Sequence, residues 1–379
     1  MTDPTSAAGV IPGRTAPTTA ADHAPGGRPP VASYASRLAV PAAILLVVVL
    51  ILVGGSQLVV YEATLIAVYA IATIGQDWLI GRTGQVSIGA AAFLAIGAFS
   101  GAKAAEQGWG VFPVPLLVAA VLGGAIGLVV GLTGLRFRGL YLLLSTLALQ
   151  FIVSFLCEEY QGSAGSFFVP YPHLGGLTFG VGKSFFVLEV AVLLIIVVLL
   201  EGMYRRAPGR AWRAIAQNEV AAAVTGINVV RWKLTAFVGS SAVTAVAGAL
   251  LAYQTQNVSY QAFSLDMAIS VLVMVFVGGQ GSMIGSVLGA TLVMLLPLGL
   301  QNLSTSLSNV GSASQWLTTN GSLIDNAVYG VALVVVLIFE RRGLVGLAQR
   351  AGRALGRWWP RAGGPGAPQP ADAAGGGHR

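Results

Sequence analysis

Between residues 38 and 340 the chain is a near-continuous series of apolar segments. Each is close to the roughly 20 residues that an α-helix needs to cross a bilayer. They fall at 38–55, 57–79, 85–103, 112–134, 139–157, 185–203, 233–254, 264–279, 283–302 and 323–340. A backbone in lipid must satisfy its own hydrogen bonds, so such segments fold as helices. The expected fold class is therefore all-α, a polytopic membrane protein with about ten transmembrane helices. Eight is the alternative, reached by dropping two adjacent spans. Only 9% of the 379 residues are charged, against about 25% in a soluble domain. The 50 glycines fit the same class, because small residues let membrane helices approach closely.

The domain organisation follows. Residues 1–36 are rich in Pro, Ala, Gly and Thr and are expected to be a disordered tail. Residues 37–340 form the membrane domain, and 341–379 a basic tail. That tail carries Leu344, Leu347, Leu355, Trp358 and Trp359 among arginines and reads as partly interfacial, then disordered. The third span opens on "GQVSIG" and the eighth ends in "GGQGS". Glycine-broken ends of this kind suit helices that stop inside the protein.

The cations set an orientation. With ten spans and a cytoplasmic N-terminus, Arg82, Arg136, Arg138, Arg205, Arg206, Arg210, Arg213, Arg231, Lys233 and both tails lie inside, and only Lys103 and Lys183 fall outside. This is the positive-inside pattern of a multi-pass plasma-membrane protein with both termini in the cytoplasm. It accounts for the net charge of +7 without a nucleic-acid partner. The single cysteine, Cys157, and three loop or tail histidines, His23, His173 and His378, point to no disulfide and no metal centre.

"GGLTFGVGKS" (175–184) looks like a phosphate-binding loop, but the glycine required five positions before Gly182 is Leu177. The chain then has no nucleotide motif, and any ATP used must be hydrolysed by another protein. The longest inside loop, 204–232, holds the polar stretch "GRAWRAIAQNEVAAAVTGI". No Pro or Gly interrupts 210–225, so one helix of about four turns is expected, ended by Gly226. Trp212, Ile215, Ala216, Ala222 and Ala223 would share one face, with Arg210, Arg213 and Gln217 on the other. Such a helix suits the groove of a protein partner, or a bed of lipid headgroups. Glu219 favours the protein, since an anionic membrane gives no reason for it.

That stretch resembles the coupling loop of ABC-importer permeases, a Glu–Ala–Ala core followed by glycine. More narrowly, the region up to "TAVAGAL" is similar to the LivM-type family of branched-chain amino acid permeases. "GRTGQVSIGAAAFLAIGAF", "LRFRGLYLLLSTLAL" and "MAISVLVMVFVGGQGSMIGSVLGA" agree with that family in order and spacing. The likeness covers most of 60–340. The chain departs from it at "GQDWLIGRTGQ", where the family has an asparagine-bearing "GLN"-like run, at Ala216, where the family has a charge, and in 158–184. The resemblance implies a permease subunit that is not itself an enzyme and binds no cofactor. Its partners would be a second permease subunit, two cytoplasmic ATPases that use ATP, an extracytoplasmic substrate-binding protein and membrane lipid. Arg210, Arg213, Glu219, Ala222 and Gly226 would meet the ATPases. Branched-chain amino acids are the expected solute, with urea, amides or related small solutes as the alternative.

Acids in the spans are Glu62, Asp77, Glu189, Asp266 and Asp325. Charges in lipid are costly and usually functional. Gln76, Asp77, Gln85, Ser87 and Asp266 are the candidates for lining a translocation pathway, with backbone N–H groups near Ser87 available to a carboxylate. An ion-coupled secondary transporter would also use such acids, but it has no need of loop 204–232. An intramembrane enzyme would need a nucleophile beside a base, and no such arrangement is visible.

Overall fold

The computed structural model describes residues 54–109, 111–134, 140–162, 165–174, 177–180, 182–308 and 330–331. The first and last expected spans, Asp325 and both tails lie outside or almost wholly outside these residues. The second to ninth expected spans each coincide with a helix: α1 Gln57–Thr83, α2 Ala90–Ala104, α3 Val114–Gly134, α4 Leu140–Gln161, α5 Lys183–Arg205, α8 Val229–Thr255, α9 Leu265–Gly278 and α10 Met283–Ser308. Two further helices, α6 Ala207–Gln217 and α7 Glu219–Val224, fill the polar loop before α8. Five of the described helices, α1, α3, α4, α5 and α8, are long and apolar enough to cross a membrane. The chain is thus an all-α, multi-pass membrane protein.

The broken segments are where the glycines placed them. α2 begins only at Ala90, five residues later than expected, because residues 84–89 leave the helix. Gly84, at φ 70°, ends α1 in the left-handed conformation. α9 stops at Gly278 after 14 residues, about 21 Å at 1.5 Å per residue, and so falls short of a ~30 Å hydrocarbon core.

α8 is the central helix: 61% of its apolar window is buried, against 33% for α3 and for α4. It packs on α1, α2 and α3. Many of its inward residues are small, including Ser240, Ser241, Thr244, Ala245, Ala247, Gly248 and Ala249, with Phe237, Leu250 and Tyr253 at the ends of that run. The closeness is mutual. A methyl at Gly97 of α2 would overlap the Ala245 carbonyl, and one at Gly248 of α8 would overlap the Leu94 carbonyl. Small facing surfaces replace a hydrophobic driving force that lipid cannot supply. α3, α4 and α5 instead turn Leu117, Val121, Phe151, Phe155, Ile195 and Val198 outward, as lipid-facing helices do.

At the end of the molecule away from the polar loop, the described residues between α4 and α5 include short strands. β1 Phe167–Phe168 pairs antiparallel with β4 Asn257–Val258, and β2 His173–Leu174 with β3 Leu177–Thr178. Gln161 Oε1 accepts from Tyr260 N at 2.8 Å, and Gln150 Nε2 donates to the Phe263 carbonyl at 2.9 Å.

Candidate functional site

The single four-turn helix expected over 210–225 is two helices. The break is Asn218, which is extended (φ −159°, ψ 110°). Its Oδ1 accepts from Val220 N and Ala221 N, both at 3.0 Å. Asparagine is poor inside a helix and strong as an N-cap for this reason: its side chain satisfies N–H groups that otherwise start a helix unpaired. The expected glycine ending is present. Gly226 sits at φ 85°, its N–H reaches the Ala223 carbonyl at 3.0 Å, and Ile227 N reaches Ala222 O at 3.1 Å. These two bonds form a Schellman C-cap. A helix of six residues has little stability of its own, so both caps are needed to hold α7.

The break also changes which residues face out. Trp212, Ile215 and Ala222 are buried, as a shared face predicts, but Ala216 and Ala223 are exposed rather than joining them. The outward surface of α7 is Val220 (70% exposed), Ala221, Ala223 and Val224 (83% exposed), followed by exposed Gly226. Arg210 and Arg213 are exposed on α6. Ala222 points the other way, into the molecule. Glu219 pairs with Lys233 at the start of α8, Oε1 to Nζ 2.7 Å.

Beneath α6 and α7 lies an aromatic cluster. Trp212 is 1% exposed. Its ring centroid is 5.2 Å from that of Trp78 on α1, 6.1 Å from Tyr204 on α5 and 6.0 Å from Trp232 on α8, all edge-to-face. Its Nε1 donates to the Trp232 carbonyl at 2.9 Å. The Arg82 guanidinium lies 4.3 Å from the Tyr204 ring centroid, a cation–π contact. One turn along α1, Asp77 Oδ1 accepts from Gly281 N at 2.6 Å, which fastens the turn between α9 and α10 to α1. Gly81 permits this approach, since a methyl there would overlap Gly281. Gln85 Nε2 donates to Thr83 Oγ1 at 3.0 Å and to the Lys233 carbonyl at 3.4 Å. The ends of α1 and α5, the start of α8 and the 279–282 turn therefore meet at one place, directly under the exposed helix.

The five pathway candidates do not form one site. Gln76 and Asp77 are buried in helix packing, and Gln85 bridges to α8. Ser87 Oγ accepts from Gly89 N at 3.2 Å, and Ile88 N donates to Thr146 Oγ1 at 3.1 Å, so those N–H groups near Ser87 are already engaged. Asp266 is exposed in the first turn of α9, a full helix length from Gly281. None of the five lines a cavity of about 710 Å³ found among α2, α3 and α4, whose walls include Phe99, Ser100, Lys103, Leu122, Cys157 and Tyr160. Glu189 of α5 is fully buried, and both its carboxyl oxygens lack a hydrogen-bond partner among the described residues. Glu62 is half-buried on α1. No group of three or more metal-ligating side chains occurs among the described residues.

Sequence reasoning singles out the polar loop but not Trp78, Tyr204, Trp232 and Lys233, which the structure packs against it. Each lies near the end of an apolar segment, where Trp and Tyr are common for lipid reasons alone. Only the tertiary fold brings them together.

Comparison with known proteins agrees with this architecture. Residues 58–339 match the family described as branched-chain amino acid transport system / permease component. The high-affinity branched-chain amino acid transport system permease protein LivM of Escherichia coli (strain K12) is 32% identical over 260 residues. LivM of Salmonella typhimurium (strain LT2) is equally similar, and each match covers 62% of this chain and 61% of the relative. The chain thus spans about three fifths of the length of those relatives. The fructose import permease protein FrcC of Rhizobium meliloti is 31% identical over 136 residues, 34% of this chain and 38% of that protein. No solved structure matches. With one family covering the membrane domain from the start of α1 to beyond α10, the chain belongs to the branched-chain amino acid transport system permease family.

Proposed function

We propose that this chain is the permease subunit of an ATP-driven importer, and that its solute is a branched-chain amino acid. The observation that carries the reading is the outward face of α7. Val220, Ala221, Ala223 and Val224 form an apolar surface on a helix capped at both ends, and it stands clear of the membrane-spanning helices. An exposed apolar surface of this kind marks a contact with another protein or with the membrane, and the Glu219 beside it favours a protein. The short, rigid, alanine-rich shape suits a groove on a partner. Since the sequence has no phosphate-binding loop, ATP is hydrolysed by that partner.

In this reading two ATPases dock on the α7 helices of this chain and of a second permease subunit. Arg210 and Arg213, exposed beside α7, pair with acids on the ATPase rim and steer the encounter. Glu219 and Gly226 hold the contact helix in shape rather than touching the partner, and Ala222 seats it on the membrane domain. An extracytoplasmic binding protein delivers solute to the opposite end. Both termini and loop 204–232 are cytoplasmic. The amino acid solute is favoured over a sugar because the LivM matches cover 62% of the chain and the FrcC match covers 34%.

The test is uptake into proteoliposomes holding this chain, the second permease and the ATPases, with binding protein supplied. Radiolabelled leucine should accumulate only with ATP on the ATPase side. Uptake driven by a proton or sodium gradient without ATP would overturn the reading. A Val220→Asp/Val224→Asp variant should lose most of the co-purifying ATPase.

A further inference from the structure

We propose that Trp78 and Trp212 are positioning residues for transport: their contact carries the motion of α6 and α7 to α1 and to the Gly281 turn. The proposal rests on the docking reading above and goes beyond it. Docking says where force enters. The cluster says where it goes next.

Three observations point to this contact. The first is that Trp212 is the main fastening of α6 to the membrane domain. It is the largest fully buried side chain and meets one ring from each of α1, α5 and α8. A rigid displacement of α6 must move Trp212, and a close-packed neighbourhood transmits it rather than absorbing it. The second concerns Trp78, which is wedged between Trp212 and Gly239 of α8. A methyl at Gly239 would overlap the outer edge of the Trp78 ring, so α8 has left room for the indole there and no more. Pushed by Trp212, Trp78 has α8 behind it, and α1 must respond. The third is what α1 holds. Asp77, the residue before Trp78, carries the bond to Gly281 N. Movement of α1 therefore pulls the turn at which α9 and α10 join.

The same stretch of α1 is poorly pinned by hydrogen bonds. Gln76 Oε1, Trp78 Nε1 and Arg82 Nε are all buried without a hydrogen-bond partner among the described residues. Buried polar atoms are nearly always paired in a settled packing. A shift of α1 has few side-chain bonds to break here, apart from the one that draws Gly281 along. Trp78 therefore meets Trp212 by ring contact alone, while Trp212 is held to α8 by its Nε1 hydrogen bond to the Trp232 carbonyl.

The experiment uses the full importer in proteoliposomes and reads two rates, ATP hydrolysed and leucine taken up. Trp212→Phe and Trp78→Phe trim one ring each. Gly239→Ala leaves both indoles intact and displaces Trp78. Trp109→Phe, in an exposed turn, is the control and should match wild type. In the three test variants ATPase co-purification should stay at wild-type level, because the α7 face is untouched. ATP consumed per leucine should rise by roughly 2- to 30-fold, the fold-change that corresponds to the coupling changes of about 0.5–2 kcal/mol seen for residues between two sites. Combining Gly239→Ala with Trp78→Phe should restore part of the ratio, since the added methyl fills the space the smaller ring leaves.

If hydrolysis and uptake fall in the same proportion, or neither changes, the contact is structural only and the proposal is overturned. The docking reading fails separately: it is lost if the Val220→Asp/Val224→Asp variant co-purifies with ATPase as well as wild type does.

Discussion

Glu219 has two roles open to it, and charge exchange with Lys233 separates them. Either it touches the ATPase, as the family resemblance implies, or it braces α7 from within. The geometry favours the brace: Oε1 and Nζ are 2.7 Å apart, with Lys233 17% exposed and Glu219 40% exposed. Exposed pairs contribute about 0.2–1 kcal/mol, and breaking a fully buried one costs about 3–5 kcal/mol. With one partner largely covered and the other not, about 1 kcal/mol is reasonable. Glu219→Lys also sets two cations together, so about 2 kcal/mol is lost in all. That corresponds to roughly 30-fold in the population of seated α7. Because α7 has only six residues, propensity cannot make up the difference.

The assay is amide hydrogen exchange over 220–227 in nanodiscs, run beside ATPase co-purification. Glu219→Lys and Lys233→Glu should each speed exchange at Ala222, Thr225, Gly226 and Ile227, whose N–H groups hold the helix together. Both should weaken ATPase association. The exchanged pair, Glu219→Lys with Lys233→Glu, should recover both readouts. If the singles leave exchange at the wild-type rate, the ion pair does not hold α7 and the reasoning is refuted. If the exchanged pair recovers slow exchange but not association, the Glu219 carboxylate contacts the ATPase itself.

Other consequences follow from single residues. Gly226→Ala places a Cβ on a backbone at φ 85° and should cost about 1 kcal/mol, read as faster exchange at Gly226 and Ile227 with the membrane helices unaffected. Asn218→Ala removes an acceptor from two N–H groups. It should cost about 1 kcal/mol and appear as lost protection at Val220 and Ala221. Glu189→Leu replaces a fully buried carboxyl that has no hydrogen-bond partner among the described residues. Apolar replacement of such a group is neutral or stabilising. The thermal midpoint in detergent should therefore hold or rise by roughly 2–4 °C for each kcal/mol recovered, and a clear fall would show that the carboxyl has a partner.

The helices were legible because lipid leaves the chain few choices. Length and apolarity alone located α1, α3, α4, α5 and α8, and the two glycine-rich interruptions announced the late start of α2 and the early end of α9. Gly226 was readable as a helix stop for the same local reason. The break at Asn218 is harder to see, although the preference of asparagine for an N-cap is also local. Alanine on both sides argued for continuity, and the competing side-chain bonds to Val220 N and Ala221 N won. The surroundings of the pathway candidates are not legible in the same way. In the sequence Asp77 is an acid in an apolar span, and its carboxyl meets a backbone N–H of a turn 204 residues away. No periodicity encodes a partner at that separation. Lys233 was counted for topology, and its sign did match Glu219, but nothing in the sequence set the two side by side.

The small-residue packing and the aromatic cluster divide the labour of one machine. Around α8 the contacts are glycine and alanine against backbone: Gly97 on the Ala245 carbonyl, Gly248 on the Leu94 carbonyl. Such surfaces set backbone close to backbone, so α2, α3 and α8 shift as a unit, whereas α1 also meets α8 through the Trp78 ring at Gly239. At the end near α7 the contacts change character to rings set edge-to-face, with centroids 5.2 to 6.5 Å apart. Edge-to-face rings can change angle slightly while their centroids stay within contact range, so the joint can turn and still pass on a push. A stiff body with a compliant joint at the face an ATPase would cover is what a rigid-body switch between two states requires. If the joint lay instead in the glycine-packed interior, any useful rotation there would drive backbone into backbone. The composition that lets these helices pack in lipid therefore also determines where they can be moved.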